Sequence, residues 1–417
     1  MKKMFLLTGL ICFVFTVDAQ ILKKITDRAK NRAENNANNK VNNAVDKTVD
    51  DAMNPDLSKS KNNDTTKQSS TNADIKTSTG AGFKTYSKYD FVPAETIMVF
   101  EDFMQDAVGD FPAKWNTNAT GEIMTIDKIP GHWFAMGKTG VFMPDFIDSL
   151  PDDFTLEFDM LIDQTVHSWG LDVNLAELQN RDQPKDWPSA TNHFSLNILP
   201  GNPGTGSSSY HRRKNGVGET TTRAKITQFE NISRPVHIAF WRQKERLRVY
   251  LNEEKVWDVP KAIQAGAKLN SLVFSIPNIA QWHFLITNLR LAVGAPDTRK
   301  KILEQNKWVT HGILFDVNSA NIKPESYGTL KEMANVLKEY TDLKVKIVGH
   351  TDADGADATN LDLSKRRAAS VKVALAKEFG IDESRMETDG KGESEPIDKN
   401  DSPAGKANNR RVEFIKI

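Results

Sequence analysis

The chain has 417 residues, and its 55 lysines and arginines are balanced by 55 aspartates and glutamates, giving a formal net charge of zero. This length is enough for two domains with connecting segments, at roughly 100–200 residues per domain. Nucleic-acid-binding proteins normally carry a basic excess, so the charge balance argues against that class.

The first 19 residues predict a signal peptide. Two lysines precede an apolar run, Met4–Val17, and Val17-Asp18-Ala19 forms a small-residue cleavage pattern. The run is shorter than the ~20 residues of a membrane-spanning helix. The only cysteine, Cys12, lies inside the run and not at the cleavage point. We therefore expect a mature chain without lipidation, a disulfide or a transmembrane span.

Two polar segments follow. Residues 20–53 are rich in Asn, Lys, Asp and Ala, and small apolar residues recur mostly four positions apart. This spacing predicts a polar amphipathic helix, which could act as a spacer or associate with itself or a partner. Residues 54–88 contain almost no large apolar side chain, which predicts a disordered linker because little surface can be buried.

Residues 89–296 have the alternating pattern of many short strands, such as Phe154–Ile162 and Val236–Trp241, which predicts an antiparallel β-sandwich. Leu247–Leu251 and Lys255–Val259 predict a hairpin. Residues 202–222, rich in Gly, Ser, Arg and Lys, are interpreted as a long mobile loop. Most tryptophans of the chain lie in this region, and we expect most of them to belong to the core.

The middle region resembles the concanavalin-like jelly-roll domains. The resemblance is carried by five stretches and Trp115: Phe100–Phe103 (FEDF), Val108–Pro112 (VGDFP), Phe154–Asp159 (FTLEFD), Trp241–Leu251 and Asn288–Ala292 (NLRLA). Such domains bind sugars, bind proteins or cleave glycosides, so this resemblance leaves the function open.

An enzymatic role would need two carboxylates, and Glu157 and Asp159 share one face of a predicted strand. Leu161 stands where the related glycosidases carry a further glutamate, so we interpret the pair as the exposed polar face of an ordinary strand. The histidines show no metal-binding spacing. A calcium site near Glu101, Asp102 and Asp106 stays open. No cofactor, metal or catalytic residue is predicted.

Residues 297–417 change to alternating strands and helices. The predicted elements are strands at Trp308–Phe315, Leu343–Val348 and Arg411–Ile417, and helices at Pro324–Tyr340 and Leu363–Phe379. This order predicts an α+β domain with its helices on one face of the sheet.

This region resembles the OmpA-like family closely, over about 100 residues. Four ordered motifs carry the resemblance: Phe315–Ser326 (FDVNSANIKPES), Gly349–Gly355 (GHTDADG), Asn360–Val371 (NLDLSKRRAASV) and Asn408–Phe414 (NNRRVEF). The resemblance implies non-covalent binding of the peptidoglycan stem peptide, chiefly at diaminopimelate.

The family resemblance also implies a binding site. Asp352 would take the ammonium of diaminopimelate and Arg367 its carboxylate, which suits the bidentate geometry of a guanidinium. Asn318 and Asn360 match ligand-contacting positions of the family, and Asp354 stands where relatives often carry Thr or Asn. The alternative is that Asp352 and Arg367 form a salt bridge that fixes a loop to a helix. Arg410 is interpreted separately, as a residue that pairs with an acid inside the domain.

The sequence therefore predicts a non-enzymatic envelope protein that binds peptidoglycan and tethers a jelly-roll module for a glycan or an envelope protein. We expect secretion into the periplasm and association with the cell wall; contact with the outer membrane stays open. The alternative is a polysaccharide-acting enzyme anchored to the wall, and a protein-binding scaffold is a third hypothesis for the middle domain.

Overall fold

The computed structural model describes residues 89–137, 139–163, 170–201, 204–231, 234–277, 283–294 and 298–417. The predicted signal peptide (1–19), helix (20–53) and linker (54–88) lie outside these residues. The predicted boundary at residue 296 stays a prediction. No helix in the described part is long and apolar enough to cross a bilayer.

Antiparallel strands make up the first part of the described chain. In order they are β1 (Thr96–Glu101), β2 (Trp115–Thr117), β3 (Gly121–Ile126), β4 (Ile129–Met136), β5 (Gly140–Pro144), β6 (Asp153–Ile162), β7 (Leu171–Ala176), β8 (His193–Leu199), β9 (Ser207–Lys214), β10 (Val217–Thr220), β11 (Ala224–Lys225), β12 (Val236–Gln243), β13 (Arg246–Leu251), β14 (Glu254–Val259), β15 (Ser271–Ile276) and β16 (Phe284–Val293).

These strands form two sheets. One has the order β14-β13-β12-β6-β16-β4-β3, and β1 also pairs with β16; the other has the order β10-β9-β8-β7-β15-β5-β2, with β11 paired to β9. Side chains alternate across β6, so Leu156 and Phe158 are buried in the core between the sheets while Glu157 and Asp159 point the other way. The predicted β-sandwich is confirmed.

The second part of the chain is an α+β domain, as predicted. Its strands are β17 (Lys307–Thr310), β18 (Val345–His350), β19 (Met386–Gly392) and β20 (Val412–Lys416), and its helices are α1 (Thr298–Glu304), α2 (Tyr327–Glu339), α3 (Asp357–Phe379) and α4 (Pro403–Asn409). The sheet order is β17-β20-β18-β19, with β18 and β19 parallel.

The interpretation of residues 202–222 as a long mobile loop was wrong. β9 and β10 form a hairpin in which Lys214 pairs directly with Val217. Asn215 and Gly216 make the turn with φ of 50° and 82°, the positive values that a two-residue type I′ turn requires. The Asn-Gly pair was the available signal. The predicted hairpin of β13 and β14 is confirmed.

The sandwich and the α+β domain share a hydrophobic cluster. Tyr89 and Phe91, which precede β1, pack with Tyr250 of the sandwich and with Tyr327 and Trp308 of the α+β domain. The contact is close, because a Cβ added at Gly328 in α2 would lie 1.9 Å from the Phe91 carbonyl oxygen.

Polar contacts join the two domains beside this cluster. The Asn408 side chain bonds both backbone groups of Ile97, at 3.0 Å each. Lys301 in α1 pairs with Glu95. The chain before β1 and the edge strand β1 are therefore held by the α+β domain as well as by the sandwich.

Candidate functional site

A cavity of about 470 Å³ lies between the sandwich and the α+β domain. All five residues proposed from the sequence line it: Asn318, Asp352, Asp354, Asn360 and Arg367. Its other wall comes from the sandwich and includes Phe100, Glu157, Asp159, His237, Asn288 and Arg290. The sequence pattern gave no sign that the middle domain would contribute to this site.

Asp352 lies two residues beyond the end of β18 and is 8% exposed. Its Oδ2 accepts a hydrogen bond from Arg410 Nη1 at 2.5 Å, and its Oδ1 accepts one from the Asp354 backbone N–H at 3.2 Å. Arg410 in turn lies over the ring of Phe100 from β1, 5.2 Å from the centroid. The ion-pair partner of Asp352 is therefore Arg410 and not Arg367.

Arg367 lies on α3 with its guanidinium 4.9 Å from the centroid of the Phe315 ring. Its Nε donates to the Ser319 carbonyl oxygen at 3.0 Å. Among the described residues it forms no ion pair with a carboxylate. Burial, with the positive charge of Arg410 as the next cause, lowers the pKa of Arg367 to about 10, so it stays cationic at neutral pH.

The placement of Arg367 corrects one expectation. The helix predicted from Leu363 begins at Asp357, so Arg367 lies in its third turn. The residues before Leu363 are mostly polar, so they gave no apolar signal for a helix. Arg367 therefore lies near the middle of a 23-residue helix.

Glycines bring α3 close to the sheet. Gly349 in β18 pairs with Gly390 in β19. A Cβ at Gly349 would lie 2.3 Å from the Ser364 carbonyl oxygen, and one at Gly390 would lie 2.4 Å from the Lys365 backbone nitrogen. The absence of side chains at both positions lets the helix approach the strand ends, which places Arg367 and Asp352 at one cavity.

The other three predicted residues differ in the hydrogen bonds and ion pairs that their side chains form within the protein. Asn360 Nδ2 donates to the carbonyl oxygens of Asp352 and Asp354 and to Glu393 Oε2 at 2.5 Å, so it fixes the loop after β18. Asp354 pairs with Lys406 at 2.7 Å. Asn318 has a positive φ of 56°, and its side chain makes no hydrogen bond to a described residue.

The sandwich wall carries a buried network of charges. Arg290 binds both carboxylate oxygens of Glu157, at 2.6 and 2.7 Å, and donates to the His311 carbonyl oxygen of the α+β domain at 3.1 Å. His237 donates to Asp159 at 2.8 Å and to Glu157 at 3.2 Å. Glu157 is 2% exposed, so the expectation of an exposed polar strand face was wrong: the α+β domain covers that face.

Residues 314–410 match the OmpA family. This part of the chain is an OmpA-family domain. Outer membrane porin F of Pseudomonas fluorescens is 45% identical over 101 residues, which are 24% of this chain and 31% of that protein. The probable lipoprotein YiaD of Escherichia coli is 45% identical over 104 residues, 25% of this chain and 47% of that protein.

The chain thus spans 31% and 47% of the length of these two relatives. Among solved structures, the peptidoglycan-associated lipoprotein of Burkholderia pseudomallei is 27% identical with a TM-score of 0.24, covering 28% of this chain and 92% of that one. By name, the first of these relatives is an outer membrane porin and the second is a probable lipoprotein.

The charge network against the OmpA-family domain makes stability depend on pH. Burial alone would lower the pKa of His237, but hydrogen bonds to Asp159 and Glu157 outweigh it and raise the pKa to about 10. A histidine with a raised pKa stabilises fully below its unfolded value of about 6.5 and loses this contribution as the pH rises through the folded value.

We therefore expect the free energy of unfolding of His237→Gln to differ most from that of the native chain at pH 6. The difference should shrink progressively up to pH 10. Between the two pKa values, unfolding of the native chain releases the His237 proton, whereas unfolding of the variant releases none. Denaturant titrations at pH 6, 8 and 10 measure it. A difference that stays constant over this range would contradict the assigned imidazolium.

The residues considered for catalysis or metal binding have other partners. The Glu157 carboxylate accepts hydrogen bonds from Arg290 and His237. Glu101, Asp102 and Asp106 each accept a backbone N–H, from Phe103, Met104 and Ala113, and so fix the turn after β1. Within the described ranges, no group of three or more His, Cys, Asp or Glu is arranged to hold a metal ion. Of the tryptophans that the structure describes in this region, Trp115 and Trp133 are buried, whereas Trp187, Trp241 and Trp257 are half-buried.

Proposed function

We propose that this protein is a non-enzymatic component of the cell envelope that binds peptidoglycan non-covalently through its OmpA-family domain. The ligand is the diaminopimelate residue of the stem peptide. Its free amino-acid head carries one ammonium and one carboxylate. Asp352 takes the ammonium, Arg367 takes the carboxylate, and Asn318 adds a hydrogen bond from the rim.

The observation that carries this proposal is the state of Arg367. Its guanidinium faces the cavity without a carboxylate partner among the described residues, and it stacks on Phe315 at 4.9 Å. A partly buried guanidinium that lacks a counter-ion favours an anionic ligand with planar geometry, which a carboxylate supplies. Asp352 lines the same cavity and provides the acid that the neighbouring ammonium of an amino-acid head requires.

The ion pair between Asp352 and Arg410 is compatible with this role. A carboxylate offers about four lone-pair positions, and here Arg410 and one backbone N–H occupy only two. Arg410 fixes the orientation of the carboxylate before the ligand arrives, so less conformational freedom is lost on binding. Asn360 fixes the backbone of the same loop, and Asp354 forms an ion pair with Lys406.

In this proposal the protein links the sandwich to the cell wall. We propose that the signal sequence directs it to the periplasm, where the OmpA-family domain holds it to the cell wall and carries the sandwich with it. The sandwich is the module for a glycan or an envelope protein. The geometry of Glu157 does not favour the enzymatic alternative, since a carboxylate bound by both Arg290 and His237 is not available as a general acid.

The test is co-sedimentation of the full chain with purified, insoluble cell wall. Asp352→Ala and Arg367→Ala should each weaken binding by roughly 10- to 100-fold, the effect of losing one hydrogen-bonded charge. Circular dichroism should show that both variants remain folded.

Matched controls lie on the same helix. Asp362 and Arg366 form a surface pair four residues apart at 2.8 Å, and neither lines the cavity. Asp362→Ala and Arg366→Ala should bind as well as the native chain. Full retention of Asp352→Ala and Arg367→Ala on the wall would show that the site is assigned wrongly.

A further inference from the structure

The cavity contains two cations that are not matched by an anion. Of the arginines that line it, Arg290 pairs with Glu157, Arg410 with Asp352 and Arg411 with Glu413. Within the described residues, only Arg367 and Lys323 among the cavity's lysines and arginines have no carboxylate within 4 Å. The proposed function uses Arg367 and leaves Lys323 without a role.

Lys323 stands where the OmpA-family domain faces the sandwich. Its backbone N–H bonds the Leu314 carbonyl oxygen at 2.8 Å, which fixes the residue four positions before the start of α2. Burial would raise the pKa of Asp159 on the sandwich wall, but His237 and Asn288 lower it, and the ammonium of Lys323 adds to that lowering. Lys323 lines the same cavity as Asp159 and Asn288 of the sandwich and forms no ion pair with a described residue.

Asn288 extends the sandwich wall beside Asp159. The register of β16 against β6 shifts between Thr287 and Arg290, and Asn288 adopts a positive φ of 53° at this bulge. Its Nδ2 donates to Asp159 Oδ2 at 2.7 Å. Its Oδ1 has no hydrogen-bond partner among the described residues, so the amide presents an acceptor to the cavity.

We propose that Lys323 and Asn288 form a second subsite, which binds the end of the peptide chain that carries the diaminopimelate head. Lys323 takes the main-chain carboxylate of a diaminopimelate that ends its peptide, and Asn288 Oδ1 accepts a peptide N–H next to it. This inference rests on the proposed function. Diaminopimelate at a chain end carries two carboxylates, which matches the two unpaired cations, and the sandwich thereby becomes part of the wall-binding site.

The experiment uses two tripeptides that end in diaminopimelate and differ only in the main-chain carboxylate, which is free in one and amidated in the other. Calorimetry with the full chain should give roughly tenfold tighter binding of the free acid, the effect of one charged hydrogen bond. Lys323→Gln should abolish this preference. Lys338→Gln, an exposed lysine of α2 outside the cavity, should keep the preference.

Asn288→Gly removes only the side-chain amide, because glycine accepts the positive φ. It should weaken both peptides by several-fold. The matched control is Asn306→Gly, at an exposed asparagine with a φ of 58° outside the cavity, which should bind both peptides like the native chain.

The outcomes separate the two proposals. Equal binding of the two peptides by the native chain, or a preference that survives in Lys323→Gln, overturns the second subsite while leaving Asp352 and Arg367 in place. Binding that is unaffected by Asp352→Ala overturns the primary site itself. Loss of the acid preference in Lys323→Gln alone supports the second subsite.

Discussion

Arg290→Leu should destabilise the protein by about 3–5 kcal/mol, because it leaves the buried Glu157 carboxylate without its arginine and with only the more distant contact to His237. Arg290 is 6% exposed and Glu157 is 2% exposed, and the pair carries two short hydrogen bonds. Arg290 also donates to the His311 carbonyl oxygen of the OmpA-family domain. Denaturant unfolding at neutral pH measures the loss.

Two comparisons sharpen this expectation. In Glu157→Leu/Arg290→Leu no unpaired charge remains, so stability should recover most of the loss. Arg246→Leu removes a surface pair with Asp258, whose side chains are 42% and 32% exposed, and should cost no more than about 1 kcal/mol. A loss below 1 kcal/mol for Arg290→Leu would show that the network does not fasten the two domains.

Gly349→Ala should both destabilise the protein and weaken binding to the cell wall. The added Cβ would lie 2.3 Å from the Ser364 carbonyl oxygen, which belongs to the backbone and cannot rotate away. Helix α3 would have to move off the sheet, at a cost of about 1–3 kcal/mol or more. The displacement separates Arg367 from Asp352, so the folded fraction should bind the wall several-fold less tightly.

Gly328→Ala is the matched comparison for this variant. Its Cβ would lie 1.9 Å from the Phe91 carbonyl oxygen, so it should also lose stability. Neither β18 nor α3 takes part in that contact, and wall binding per folded molecule should stay close to native. Equal binding losses in both variants would indicate a general effect of destabilisation rather than a spacing effect at the site.

The parts of the fold that the sequence predicted are those with local signals. Alternation in β6 and β12, the helical stripe of α2 and the four OmpA-like motifs each depend on residues within a short window. The presence of Asp352 and Arg367 at one cavity also follows from such motifs. The Asn215-Gly216 turn also had a local signal, the Asn-Gly pair. It was missed because the Gly- and Ser-rich composition of residues 202–222 was interpreted as that of a loop.

The remaining features depend on contacts between distant residues. Glu157 meets His237 and Arg290, which lie 80 and 133 positions further along the chain. No periodicity shows that the outer face of β6 will be covered by another domain, so Glu157 and Asp159 appeared exposed. The pairing of Asp352 with Arg410 and the wall supplied by Asn288 have the same origin: each requires knowing which surfaces meet.

The way the chain enters the described structure has a mechanical consequence. Tyr89 and Phe91 pack between the two domains, and Ile97 is clamped by Asn408 only a few residues later. If the OmpA-family domain is fixed to the wall, tension on the chain that precedes Tyr89 arrives first at this joint. The sandwich core lies beside the line of force, so the sandwich can stay folded while the tether is under strain.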